Sequence, residues 1–190
     1  MIKSKFMEEK IKYDGSQLRS HWIYHHTGII GDAIVAFTGP ANVSLERMVD
    51  LVDVSEKRPI FSYDMLHFIA EFFHSDLDLT ICYQRLLICT IKEVLEKLEV
   101  KSHIIRQGDD IFIYLDEDLK KLSISIATTS TVSTLIHTAL NIISDDTPVP
   151  TIGLKDLKLD PNLVGEAILE NFSQEVASME FARCKVRAVR

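Results

Sequence analysis

The sequence predicts an α+β fold in which a mostly antiparallel sheet carries helices packed largely on one face. Three observations predict it. The stretch from Leu79 to Leu98 keeps helical spacing of apolar residues. From His103 to Ile143 the period changes to short apolar runs separated by tight turns. Asp160–Pro161 then opens a last amphipathic helix. Consecutive short strands with tight connections pair antiparallel. A chain of 190 residues is expected to form one domain, 1–190, with a core that needs no metal or disulfide staples.

Residues 1–20 are charged and polar and make a lead-in or a first strand. Around Trp22 and Tyr24 a strand-like stretch puts His21 and His25 on one side and Trp22 and His26 on the other. Gly28-Ile-Ile-Gly31-Asp32 is a turn before Ala33–Thr38, a buried strand ending at the Gly39–Pro40 turn. Met48–Val54 alternates apolar and acidic residues and reads as a strand. Ser62 is a candidate N-cap, and Met65, Phe68, Ile69, Phe72 and Phe73 follow on one helical face.

In the helix from Leu79 to Leu98, Ile81, Ile88, Ile91, Val94, Leu95 and Leu98 form the buried stripe. Lys92–Glu96 and Glu93–Lys97 pair across one turn on its wet side. His103–Arg106, Ile111–Leu115, Leu122–Ala127 and Leu135–Ile143 are four strands. Gln107–Gly108–Asp109 and Asp116–Glu117–Asp118 make the first two turns between them. Val164, Ile168, Phe172, Val176 and Met179 carry the last helix. Arg183, Lys185, Arg187 and Arg190 gather past its end, where the helix dipole favours cations and a solubilising role suffices.

Composition narrows the function classes. With 21 Lys and Arg against 28 Asp and Glu, the net charge is 21 − 28 = −7. Such a chain is a poor general binder of nucleic acid or of an anionic membrane. Three cysteines at irregular spacing are not a disulfide framework, and Cys82 and Cys89 read as core residues on one stripe. The N-terminus lacks a secretory apolar region, and no apolar run reaches the length of a membrane span. A reducing cytoplasm is the expected compartment.

Few side-chain groupings carry chemistry. His67, Glu71 and His74 lie at i, i+4 and i+7 and would share a helix face. Imidazole and carboxylate at that spacing suit zinc, but the pattern is not H-E-x-x-H, so no residue is assigned to a metal. Lys121 opens the run Lys121-Leu-Ser-Ile-Ser-Ile-Ala127. Alternation puts Lys121, Ser123 and Ser125 on one side and Leu122, Ile124 and Ile126 on the other. The apolar side is core. The polar side offers an ammonium and two hydroxyls, a cradle for a carboxyl, acyl-phosphate or adenylate oxygen. On alternation alone a solvated outer face is the simpler reading. His137 sits in an otherwise apolar strand and reads as a hydrogen-bonded core residue.

The order of segments resembles a known superfamily. Leu98-Glu-Val100, Gly108-Asp-Asp110-Ile, Lys121-Leu-Ser123, His137-Thr-Ala-Leu-Asn141-Ile and Ile152-Gly-Leu154 follow the long helix in turn. This is similar to the lipoate–protein ligases, octanoyltransferases and biotin–protein ligases. In those proteins an "asn-asp" strand, a "lys-ile/val-ser-gly" strand and a "his-gly-x-x-leu-asn-val" strand succeed a helix. The match covers residues 79–175. It implies that Lys121 stands at the lysine that contacts the acyl-adenylate or acyl group. It also implies that Asp110 stands at the aspartate and His137 at the start of the partner strand. The whole chain also resembles an archaeal domain-of-unknown-function family, number three-six-six. Gly31-Asp-Ala-Ile-Val-Ala-Phe37, Met48-Val-Asp50-Leu and Asp64-Met-Leu-His-Phe-Ile-Ala-Glu71 carry that second match. The resemblance implies a fold like that of biotin/lipoate ligases and class II tRNA synthetases.

The departures are specific. The Arg- and Gly-rich strand pair that binds acyl chain and phosphate in the ligases has no counterpart here. Asp146–Thr151 lacks the cysteine of octanoyltransferases, and Ile124 replaces the glycine after the lysine–serine pair. The resemblance implies a pocket that binds or transfers a small carboxylate, an acyl group or an acyl-adenylate, with a nucleotide as a further ligand. Lys121 is the catalytic candidate, as charge stabiliser. Asp110, Ser123, Ser125 and His137 line or support the site. The residues name no cofactor. The rival expectation is a non-catalytic binding or assembly module that has lost the ligase chemistry, with a second copy of the chain as its partner in a homodimer. A metal-dependent hydrolase using His67, Glu71 and His74 is a weaker third.

Overall fold

In the computed structural model, which describes residues 2–115, 117–147 and 149–189, two sheets and two long helices enclose one main core. Strand β1 is Lys3–Phe6 and a short helix α1 is Trp22–Thr27. Strand β2 is Ala33–Val43, a one-turn helix α2 is Leu51–Ser55, and strand β3 is Ile60–Phe72. Helix α3 is Leu77–Lys97. Strands β4 His103–Gln107, β5 Asp110–Leu115 and β6 Asp118–Lys121 follow. Strands β7 Ser123–Thr129 and β8 Thr134–Asn141 come next, then helix α4 Pro161–Cys184. The five-stranded sheet has the order β1-β2-β3-β8-β7, and only its β1–β2 pair is parallel. Strands β4-β5-β6 form a separate antiparallel sheet. The mixed, antiparallel-dominated α+β class is as expected.

Strand β3 occupies the place where a helix was expected. Met65 to Phe72 is buried on both faces, because β2 and β8 flank the strand and the sheet is covered on both sides. A strand buried on both faces is apolar at nearly every position, so its residues also satisfy a helical template. Leu66, Phe68, Ala70 and Phe72 meet α3 and α4 in the main core. Met65, His67, Ile69 and Glu71 point the other way, Met65 onto Ala41 and Ala139 and Ile69 toward Met7, Tyr13, Trp22 and Ile23.

Three other expectations change in the same region. Strand β2 does not turn at Gly39–Pro40 but runs to Val43 with a register shift there. A Cβ on Gly39 would lie 2.1 Å from the Ile11 carbonyl oxygen, so only glycine admits the crossing N-terminal segment. Met48–Val54 is no strand: Asp50 caps α2 by accepting from Val52 and Asp53 N–H. The stretch around Trp22 is helical, and Gly28 ends it in the left-handed region with φ 73°. Gly28–Asp32 is the expected turn.

Helix α3 forms as expected, with Asp76 accepting from Leu79 N–H. Its buried stripe is rotated from the expected one. Thr80 and Gln84 take buried positions because Thr134, Ser125 and Asp109 meet their polar atoms. Ile81, Leu98 and Cys82 are therefore exposed and Cys89 half-buried. Lys92 pairs with Glu96 as expected, and Lys97 donates to Asn171. Helix α4 starts at Pro161 with Asp160 accepting from Asn162 N–H, and Met179 of its expected stripe is exposed. Asp116 in the expected second turn and Arg190 in the basic tail lie outside the described residues. Among the described residues no helix is long and apolar enough to cross a membrane.

Candidate functional site

The two sheets meet at Lys121. Strand β6 pairs with β5 and ends at Lys121; β7 pairs with β8 and begins at Ser123. Leu122 between them is fully buried, donates to Ile111 O at 2.8 Å and accepts from Asn141 N–H at 2.9 Å. The chain thus changes partner strands in one residue, and simple alternation does not carry across. Lys121 shares its hollow with Ile124, Ser125 and Ile126, and not with Ser123.

That hollow has a volume of about 270 Å³. This is near the lower end for small-molecule pockets. Tyr13, Val43, Met48, Ile60, Ile124 and Ile126 supply its apolar walls. Its charged residues are Lys121, Arg47 and Arg58 against Asp50, Asp53, Asp109 and Asp110. The Lys121 ammonium lies 2.9 Å from Asp110 Oδ2, and the two side chains are 29% and 28% exposed. They are sheltered but reachable by a ligand. Burial pushes the Asp110 carboxyl above the usual carboxylate range, and Lys121 pulls it partly back. Burial, then the charge of Asp50, likewise raises the Asp53 carboxyl, with Lys121 again opposing.

Asp109 is held from behind by helix α3. Arg85 Nη1 donates to Asp109 Oδ1 at 2.8 Å, and Gln84 Nε2 donates to Oδ2 at 2.9 Å. The β4–β5 turn is thereby fixed, and Asp110 with it. Gln84 Nε2 also reaches Ser125 Oγ at 2.9 Å, which links α3 to the hollow's lining.

His137 lies at the inner wall. Its Nε2 is 3.1 Å from His67 Nδ1, and His67 Nε2 is 3.1 Å from Gly39 O. A carbonyl only accepts, so His67 Nε2 carries a proton and His137 Nε2–H donates to His67 Nδ1. Both rings are buried and neutral. Burial holds His67 down at about 4, partly offset by the Gly39 bond. Burial and then His67 hold His137 well below the usual imidazole value. Tyr13 stacks on His137 with ring centroids 3.7 Å apart.

The structure therefore brings Lys121, Asp110, Ser125 and His137 around one hollow. It does not bring Ser123 into that lining: Ser123 is fully buried, and its Oγ accepts from Ile111 N–H at 2.8 Å. The shared helix face of His67, Glu71 and His74 does not exist, since the first two lie on β3 and His74 follows it. Among the described residues no group of three His, Cys, Asp or Glu side chains is placed to hold a metal ion. Sequence reasoning missed Tyr13, Asp53, Asp109 and the His67–His137 pair. All are assembled by contacts distant in the chain. Only recognising β3 as a strand would have placed His67 beside the His137 strand.

Comparison with known proteins adds a lineage. A family model described as a domain of unknown function, DUF366, matches residues 2–187. The chain belongs to the DUF366 family. A protein from Methanocaldococcus jannaschii is 37% identical over 183 residues, covering 92% of this chain and 80% of that one. A solved protein of unknown function from Pyrococcus horikoshi superposes with a TM-score of 0.91 at 38% identity, over 100% of both chains. A biotin protein ligase from Aquifex aeolicus, in complex with biotin and ATP, gives a TM-score of 0.58 at 13% identity. It is matched over 90% of this chain and 69% of its own. A bipartite lipoate protein ligase from Thermoplasma acidophilum gives 0.58 at 15% identity, over 93% and 85%. At such identities the likeness is one of fold. This DUF366 chain has the biotin/lipoate ligase-like fold that the segment order implied, and its relatives are archaeal.

Proposed function

We propose that the hollow beside Lys121 binds a small carboxylic acid, or the acyl group or acyl-adenylate made from it. The whole chain, 1–190, acts as one cytoplasmic domain. The position of Lys121 carries the reading: a half-sheltered ammonium lining a hollow whose charged residues stand beside apolar ones such as Ile124 and Ile126. Lys121 is the charge stabiliser for a carboxylate or phosphate oxygen, and Asp110 holds its ammonium in place. Ser125 and His137 line the cavity, and Ser123 supports the wall from the core side. Ile124 and Ile126 receive the ligand's apolar body. The ligase-like fold supports the same ligand class, because the Aquifex neighbour was solved with biotin and ATP.

Two observations favour a second reading, a pocket that binds without catalysis. Asp110 already neutralises Lys121, and Ser123, which stands where the ligases' serine follows their lysine, is buried. An ATP–pyrophosphate exchange assay with the bound acid separates the two, since only adenylation returns label from pyrophosphate to ATP.

Thermal melts with and without biotin, lipoate, octanoate and ATP test the ligand class. A ligand at about a hundred times its dissociation constant adds about 2.7 kcal/mol. For a chain of this size that raises the melting temperature by roughly 5–10 °C. A shift with at least one of the three acids is expected. Identical melting with all four compounds would refute the proposed ligand class.

A further inference from the structure

We propose that a second cleft on the same sheet face, at the far end of β3 from Lys121, binds a small hydrophobic amine through Glu71. Glu71 is 1% exposed. Its Oε1 accepts two hydrogen bonds, from His21 N–H at 2.8 Å and from the Ser133 hydroxyl at 2.7 Å. These fix the carboxylate's orientation. Oε2 takes no hydrogen bond among the described residues. Nor is it one of the polar atoms sealed from solvent without a partner, which are Asp64 Oδ1, His74 Nε2 and Ser173 Oγ. Glu71 itself lines the cleft, which makes Oε2 the carboxylate oxygen a ligand there would meet.

The cleft holds about 430 Å³ between α1, the 28–31 turn and the end of β3. Its walls are Ile23, Tyr24, Ile29, Ile30 and Phe73. The His21 ring lies 5.2 Å from that of Phe73. An oriented carboxylate oxygen at the edge of an apolar chamber is met by water until a ligand donor takes its place. An organic ammonium supplies the opposite charge and three donors, while its apolar body covers the isoleucines. The faces of Tyr24 and Phe73 also attract a cation. An acid is repelled, and a neutral alcohol gains only the apolar part. This site does not depend on the reading of the Lys121 hollow.

Isothermal titration of the full chain with n-hexylammonium chloride tests the assignment, with 1-hexanol and hexanoate as size-matched probes. Hexylammonium is expected to bind at least tenfold tighter than either. Glu71→Gln keeps an acceptor for His21 and Ser133 but removes the charge, and is expected to lose at least tenfold. Ile30 is 71% exposed at the rim. Ile30→Lys leaves Glu71 and its bonds untouched, tethers a competing ammonium, and is expected to weaken hexylammonium at least threefold. If Glu71→Gln does not fold, Ile30→Lys and the probe ranking decide. Lys121→Ala is expected to leave hexylammonium binding unchanged; a loss there would move the amine to the other hollow and overturn the proposal. Equal binding of the three probes, no saturable binding of the amine, or unchanged affinity in Ile30→Lys would overturn it too.

Discussion

Replacing Lys121 by Ala is expected to remove half or more of the stabilisation that an acid ligand gives, while the unliganded protein still folds. A hydrogen bond to a charged group contributes about 1.5–3 kcal/mol, so the affinity loss is roughly 10- to 150-fold. The loss to the fold is smaller. Lys121 and Asp110 are both more than a quarter exposed, and such pairs contribute about 0–1 kcal/mol. Asp110→Asn supplies the opposite sign. It removes the carboxylate that competes for the ammonium, so an acid is expected to bind several-fold tighter. If Lys121 served only to neutralise Asp110, Asp110→Asn would leave acid binding unchanged. Titration calorimetry on both variants with the acid that shifts the melt distinguishes the cases.

Acid is expected to destabilise the protein between about pH 6.5 and 4. The His67 value falls from 6.5 unfolded to about 4 in the fold. A group held below its unfolded value contributes stability that is present above the unfolded value and lost as pH falls toward the folded one. At about 1.4 kcal/mol per pH unit, His67 alone accounts for roughly 3 kcal/mol. His137 acts with the same sign. The raised carboxyls of Asp53 and Asp110 act oppositely: the strain of keeping them ionised is relieved as they protonate at lower pH. The expected readout is a urea midpoint that falls steadily from pH 7 to 4.5. His67→Gln, which keeps a donor for Gly39 O and an acceptor for His137, is expected to flatten that slope. A flat profile in the wild-type protein would contradict the buried neutral pair.

The legibility of this fold followed how local each signal is. Helix α3 and strands β4, β5 and β7 keep a readable period, and β8, though buried at every position, follows tight turns that mark it as a strand. Strand β3 was illegible because it is buried on both faces and so loses its alternation. The end of β2 was illegible because Gly39 is there for the close approach of Ile11, not for a turn. Within the candidate site, Lys121 stood out as a cation beside a strand, and the segment order pointed to Asp110 and His137. The sides assigned to Ser123 and Ile124 failed because Leu122 hands the chain from one sheet to the other. Tyr13 and Asp53 reach the hollow from distant segments, and His67 stands behind its His137 wall; no short-range pattern announces them.

A structure with bound octanoate or lipoate tests the central claim most directly. The account predicts a carboxylate oxygen within about 3 Å of Lys121 Nζ, with the apolar chain against Ile124 and Ile126. A ligand seated elsewhere, with Lys121 still on Asp110 and the hollow empty, would contradict it.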